Sequence, residues 1–344
     1  MSVLKANAYG HGLIEVGHAA TEAGVSCLGV ATVDEGLRLR DSACSIPIVV
    51  LGASLPEQAE KMVAGNLSCT VSSLASVEAL RAAASCQDRI AKIHLKLDTG
   101  MGRVGMYLDE AIKLTEVVAD YDNLEIEGIA THIGWAIEGQ SDALSRQIQT
   151  FNEHIDMLRQ HLTTAPRWIH AANSLVTLAE QSGHFNLVRI GLLTYGISPS
   201  PDLPAKLPLL GDLKPALSIH ARLTQIRMLR PGQPVSYGGT HTVERNTRAG
   251  IVPVGYGDGY PRFPSGGGHV LCQGTRCPIL GTVCMDQIVV DLTKSNAGIG
   301  DEVVLLGESE GERITATDLA KSSGRISYEM VTGLPVRLPY LYKT

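Results

Sequence analysis

The 344-residue chain has no long apolar run, no basic tract and no closely paired cysteines, and each absence removes a class of function. No stretch approaches the ~18–20 apolar residues that span a bilayer, and Met1-Ser2-Val3-Leu4-Lys5-Ala6 lacks the apolar core of a secretory signal. The sequence therefore predicts a cytoplasmic protein without a membrane partner. Lys and Arg number 29 against 35 Asp and Glu, a net charge of −6. With basic residues only in isolated pairs, the counterion release that drives nucleic-acid binding has no source. The seven cysteines (Cys27, Cys44, Cys69, Cys86, Cys272, Cys277 and Cys284) are odd in number and form no C-x-x-C pair. That spacing argues against a zinc or dithiol site and for reduced thiols. Hydrophobic residues make up 44% of the chain, enough apolar surface to offset the entropy of ordering it. The expected partner is a small molecule.

Up to about residue 190, short β-branched runs alternate with stretches of helical period, the signature of βα units around a parallel sheet. Strands are predicted at residues 3–5, 27–31, 46–51, 67–71, 92–97, 124–132, 167–171 and 187–191, with helices between them such as 13–23, 56–64, 73–84, 109–118 and 142–161. Eight such strands imply a (β/α)8 barrel, whose active site lies at the carboxyl ends of the strands. Lys5, Lys96, His132, His170 and Arg189 fall at such ends. Eight strands enclose only seven helical segments, so the ring is expected to be one helix short. After about residue 210 the pattern turns β-rich and Gly/Pro-punctuated, with strands expected at 218–230, 249–255, 268–273, 278–292 and 302–306, a helix at 316–323 and a closing strand near 336–341. The expected division is a barrel over residues 1–210 and a mostly antiparallel β domain over 211–344.

Lys5 lies in Lys5-Ala6-Asn7-Ala8-Tyr9-Gly10-His11-Gly12. Desolvation at a strand end lowers an ammonium pKa and frees the amine for covalent chemistry; the competing reading is a charged rim residue. In Lys96-Leu97-Asp98-Thr99-Gly100-Met101-Gly102-Arg103, strand alternation sends Lys96 and Asp98 to one face. The glycines then let Arg103 fold back over the barrel mouth, where its planar fork suits a carboxylate, unless it is a surface loop residue. His170-Ala171-Ala172-Asn173-Ser174 closes the seventh strand and opens a helix that Asn173 or Ser174 could cap, in the region where barrels bind phosphate. Arg189-Ile190-Gly191-Leu192 follows, with Gly191 able to admit an anion near the backbone. His132 could neighbour this cluster or be a satisfied core histidine. In the second part, Ser236-Tyr237-Gly238-Gly239, Gly255-Tyr256-Gly257-Asp258-Gly259 and Cys284-Met285-Asp286 read as turns, although a phenol beside Arg or His can act as a base.

In this order and spacing, these motifs resemble the alanine racemase family over nearly the whole chain. The resemblance implies a pyridoxal 5'-phosphate-binding barrel and a β domain that, in a head-to-tail homodimer, completes the neighbouring subunit's site, supplying D-alanine for peptidoglycan. It implies that Lys5 is the Schiff-base lysine and the base for the D-enantiomer. Tyr237 of the other chain would be the base for the L-enantiomer, backed by His132 and Arg189, with Arg189 facing the pyridine nitrogen. Tyr9, His170, Ser174, Gly191, Leu192 and Tyr328 join Lys5 and Arg189 in the implied cofactor set. Arg103 and the backbone N–H of Met285 form the implied substrate-carboxylate clamp. Lys96 occupies the place of a carbamylated lysine, and Tyr256 that of a tyrosine narrowing the entrance.

Two features depart from the pattern. Members usually carry a strand and a helix ahead of the lysine motif, and Ile133-Gly134-Trp135-Ala136-Ile137-Glu138 replaces the usual aromatic, small and acidic run after His132. A serine or broad-specificity racemase is the nearest alternative, because one hydroxyl is worth only ~1–3 kcal/mol of discrimination. An amino-acid decarboxylase would favour an acidic partner for the ring nitrogen, and a non-catalytic cofactor carrier would lack the β domain.

Overall fold

The computed structural model describes residues 1–134, 141–200, 210, 212–264, 266–334 and 337–343. It divides into two compact units, Met1–Ala8 with Gly12–Thr194, and Tyr9–His11 with Tyr195–Thr344.

In the first unit, β1 (Ser2–Val3), β2 (Leu28–Val30), β3 (Ile48–Val50), β4 (Ser68–Val71), β5 (Ala91–Lys96), β6 (Leu124–Ala130) and β7 (Trp168–His170) pair in sequence order. Every ladder is parallel. The eighth predicted strand appears as residues 188–190, which close the ring by main-chain bonds and no extended ladder. Arg189 N donates to Ala172 O (2.9 Å), Val3 N to Ile190 O (2.8 Å) and Ile190 N to Met1 O (2.9 Å). The closing segment is short because Gly191 ends it and a 3-10 turn, Leu192–Tyr195, begins at once. The barrel is therefore closed, and Leu28, Ile48, Ile93, Leu95, Leu97 and Ile129, on or next to its strands, are all fully buried. Each such burial contributes ~1.5–3 kcal/mol.

Helices form at Leu13–Glu22, Ala59–Ala64, Leu74–Gln87, Leu108–Ala119 and Ser141–Leu158, where the period placed them, and also at Ser174–Ala179. The helix at Val33–Asp41 fills the interval between the strands expected at 27–31 and 46–51, although five of its nine residues are charged. Its signal is local: Thr32-Val33-Asp34-Glu35 is a capping box, with Glu35 N donating to Thr32 Oγ1 (3.2 Å) and Glu35 Oε2 accepting from Thr32 N (3.3 Å).

The second unit is mainly antiparallel. The expected strand at 218–230 is two strands, β8 (Ile219–Arg222) and β9 (Gln225–Leu229). The chain changes sheets between them, β8 pairing with Glu302–Ser309 and β9 with Thr247–Val252. The expected run at 278–292 is also broken, into strands Thr275–Pro278 and Ile288–Asp291, because Gly281 at φ +70° and the Cys284–Gln287 turn interrupt it. Leu229, Val235, Val243, Ala249 and Leu280 form a core cluster. The helix at Ala316–Ser323 is where the sequence placed it, capped by Thr315. The closing strand is not found over 337–341, which pairs with no strand and leaves Leu341 exposed; residues 335 and 336 lie outside the described residues. Among the described residues no helix is long and apolar enough to cross a membrane.

Candidate active site

Lys5 stands beyond the end of β1 and opens a left-handed turn. Ala6, Asn7, Ala8 and Tyr9 have φ between +51° and +55°, and Gly10 has +79°. L-residues adopt this conformation at a cost of ~1–2 kcal/mol each, so tertiary contacts must hold it. Ala8 N donates to Leu4 O (2.7 Å), and Leu13 N to Asn7 Oδ1 (3.0 Å). Glu35 Oε1 accepts from Ala6 N (2.7 Å) while its Oε2 accepts from Ala31 N (2.8 Å), so the carboxylate that caps one helix also fixes the lysine turn. Glu35 is a positioning residue that the sequence reading missed; the capping box was its available signal.

Arg189 is buried, and its two terminal nitrogens meet four acceptors. Its Nη1 donates to His170 Nδ1 (3.0 Å), and its Nη2 to Thr131 O (3.1 Å), Ala171 O (2.9 Å) and His132 Nδ1 (3.1 Å). Burial, then repulsion from Arg103, lowers its pKa to about 10. His132 is pushed down to about 2, by burial first and then by Arg189, Lys96, Arg103 and Lys5. It is therefore neutral, with Nδ1 accepting and Nε2 carrying the proton. His170 has both ring nitrogens engaged by protein groups and stands behind Arg189.

Four cations thus act on one another at the strand ends. The Lys5 ammonium lies below its ordinary pKa through desolvation, then Arg103 and Arg189, with Glu35 opposing. Lys96 lies well below it through burial, then Arg189 and Arg103, with Asp98 opposing. Asp98 also shapes the loop that presents exposed Arg103. Its Oδ1 accepts from Gly100 N (2.9 Å), Met101 N (2.9 Å) and Gly102 N (3.2 Å). Gly105 lets the loop return: at φ +151°, a Cβ there would stand 2.5 Å from Asp98 N. Ser174 Oγ accepts from Gly191 N (2.9 Å), which brings together two residues of the expected anion site, and Leu192 is buried beside them in sequence. The cap of the Ser174–Ala179 helix is Asn173, whose Oδ1 accepts from Leu175 N and Val176 N.

The second unit brings together two further groups. Tyr9 is buried with its ring 6.1 Å from that of Tyr328, and burial, then Tyr328, raises its pKa to about 12. Tyr256 N donates to Cys284 O (3.0 Å) and Gly257 N to Met285 O (2.8 Å), which sets Tyr256 beside Met285; both side chains are exposed. Tyr237 is 77% exposed on a turn built from Ser236 at φ +63° and Gly238 at +76°. Trp135, Ala136, Ile137 and Glu138 lie outside the described residues.

A closed parallel barrel whose mouth gathers a low-pKa lysine, two guanidinium groups and a neutral histidine defines a class: (β/α)8 enzymes that handle small anionic substrates through a reactive amine. Comparison with known proteins makes the class specific. The family model for the alanine racemase N-terminal domain matches residues 1–199, and that for the alanine racemase C-terminal domain matches residues 216–342. The chain is 39% identical to the alanine racemase of Halothermothrix orenii over 344 residues, covering 100% of this chain and 89% of that protein. Its structure resembles the alanine racemase of D-cycloserine-producing Streptomyces lavendulae (TM-score 0.94, 37% identity, 100% of this chain and 90% of that one). It also resembles the Bacillus anthracis alanine racemase with bound L-Ala-P (TM-score 0.90, 35% identity, 98% and 86%). The chain belongs to the alanine racemase family.

Proposed function

We propose that this chain interconverts L-alanine and D-alanine with pyridoxal 5'-phosphate, supplying D-alanine for peptidoglycan from the cytoplasm. Residues 1–210 would bind the cofactor, and residues 211–344 would complete the site of a second copy in a head-to-tail homodimer. The observation that carries the reading is Lys5, an accessible amine whose charged form is destabilised by desolvation, Arg103 and Arg189. Such an amine is available as a nucleophile toward an aldehyde, and the surrounding positive charge suits a phosphate monoester and a carboxylate. The residues present fit the cofactor on both counts.

Lys5 would hold it covalently; Tyr9, Ser174, Gly191, Leu192 and Tyr328 would hold its phosphate, and Arg189 would face its ring nitrogen. Bound there, pyridoxal phosphate supplies the electron sink that acidifies the α-proton of an amino acid. Lys5 Nζ takes and returns that proton on the D side. The Tyr237 phenol oxygen of a second copy does so on the L side, with His132 and Arg189 behind it. Arg189 spends its protons on two carbonyls and two imidazole nitrogens and keeps them at neutral pH. Arg103 and Met285 N–H clamp the substrate carboxylate, and a carbamate on Lys96 would replace a buried cation with an anion that orients Arg103. Tyr256 narrows the entrance in favour of a small side chain.

The test is incubation of the cofactor-loaded chain with L-alanine in heavy water, followed by chiral separation with mass detection. D-alanine carrying α-deuterium is the expected product. A loaded chain that yields none, or that turns over serine and not alanine, overturns the reading.

A further inference from the structure

Behind Arg189, the barrel interior of the first unit holds a line of buried polar side chains that the chemistry above leaves unused. His170 accepts from Arg189 at Nδ1, and its Nε2 lies 2.8 Å from His94 Nδ1. His94 Nε2 is 3.3 Å from Glu127 Oε2, which also accepts from Ser68 Oγ (2.5 Å), and Lys92 Nζ stands 3.6 Å from Oε1 at the far end. His94, Glu127 and His170 are at most 1% exposed.

The ends fix the direction of every bond between them. A guanidinium only donates and a carboxylate only accepts. Because Arg189 donates to His170 Nδ1, the His170 proton is on Nε2 and points at His94 Nδ1. That nitrogen must accept, so the His94 proton is on Nε2 and points at Glu127. A protonated His94 would need His170 to carry no proton at all, so the contact with Glu127 is a hydrogen bond between a neutral ring and a carboxylate. Burial pushes the Glu127 carboxyl up, but hydrogen bonds from His94 and Ser68, with the charge of Lys92, bring it below its ordinary value.

Two backbone devices serve this line. The β5–β6 register steps from Ile93↔Ile126 to His94↔Gly128, so Glu127 is the extra residue of a bulge, a feature that re-aims a side chain. Gly128 seats the imidazole: a Cβ there would lie 2.5 Å from His94 Nδ1 and 2.7 Å from Cε1.

We propose that Glu127 and His94 are positioning residues that lock His170 as its Nε2–H tautomer and thereby hold the Arg189 fork in one donor pattern. The inference rests on reading Arg189 as part of the racemase site.

It is tested on the full, cofactor-loaded chain labelled with 15N-histidine, His94 and His170 being assigned by single His→Gln variants. Both rings are expected to be neutral and protonated at Nε2. Glu127→Met removes the terminal acceptor, and Gly128→Ala presses the His94 ring off His170; each is expected to shift His170 to a tautomer mixture and to lower kcat about tenfold with KM within twofold. Glu127→Gln keeps an oxygen that accepts from His94 and is expected to restore the tautomer and most of kcat. A wild-type His170 that is doubly protonated or protonated at Nδ1 overturns the proposal without any variant. So does an unchanged tautomer in both Glu127→Met and Gly128→Ala, or an equal loss of kcat in Glu127→Gln and Glu127→Met. A wild-type chain without racemase activity would instead overturn the functional reading, while the tautomer measurement still decides this one.

Discussion

Replacing Arg189 by lysine tests whether the fork, and not its charge, organises the barrel mouth. Arg189 satisfies four acceptors, Thr131 O, Ala171 O, His170 Nδ1 and His132 Nδ1, at 2.9 to 3.1 Å. An ammonium has three donors radiating from one point and cannot span that set. Leaving two buried acceptors unmet costs ~1–3 kcal/mol each, so Arg189→Lys should destabilise the first unit by ~2–6 kcal/mol. At ~2–4 °C per kcal/mol for a unit of this size, a central loss of ~4 kcal/mol lowers Tm by ~8–16 °C. The assay is thermal unfolding followed by the fluorescence of Trp168, which is buried in β7, in a Trp135→Phe background. Catalysis should suffer separately, because His132 loses its donor; kcat is expected to fall ~10²-fold, the scale of a ~1 Å misplacement. A Tm within ~1 °C of the parent would refute the claim that these four bonds hold the strand ends together.

Lys5→Ala is expected to abolish cofactor linkage that borohydride reduction would otherwise make permanent; a reduced adduct on another lysine would contradict the assignment. Tyr237→Phe should depress α-proton exchange of L-alanine far more than that of D-alanine, and equal losses would remove the two-base scheme. Mixing Lys5→Ala chains with Tyr237→Phe chains should restore activity to one site per mixed dimer, whereas two inactive parents that stay inactive after subunit exchange would exclude shared sites. His132 and His170 have folded-state pKa values below the unfolded value of ~6.5, so the unfolded chain binds more protons in acid. Their stabilising contribution is complete above pH ~6.5 and is lost as pH falls below it, on the order of 1 kcal/mol per pH unit for each. Urea unfolding at pH 7.5 and pH 5 checks the sign, and equal stability at both would be inconsistent with buried neutral rings.

The barrel was legible because its inner strands, such as Ile48–Val50 and Ala91–Lys96, are short apolar runs at a regular interval, and a parallel sheet buried on both faces requires them. The Val33–Asp41 helix was not legible by periodicity, since its apolar stripe is only Val33, Gly36 and Leu39. The 218–230 and 278–292 runs read as single strands because β-propensity does not register a change of partner sheet. Lys5, Lys96, His132 and Arg189 could be placed at strand ends from their spacing. His94 and Glu127 are not legible as a pair, because a lone polar residue inside a strand says nothing about what it faces.

What the sequence by itself determined is local: the strand–helix rhythm, the caps at Thr32, Asn173 and Thr315, and the residue types of the family's motifs. These depend on neighbours within a few positions, where propensity and side-chain chemistry suffice. Only the tertiary structure decided that Ala6 to Tyr9 take up a left-handed turn, that Glu35 ties that turn to a helix cap, and that Arg189 spreads its fork over Thr131, His132, His170 and Ala171. Those contacts join residues 18 to 58 positions apart, and their energies come from burial and from acceptors that the chain brings together only when the barrel closes.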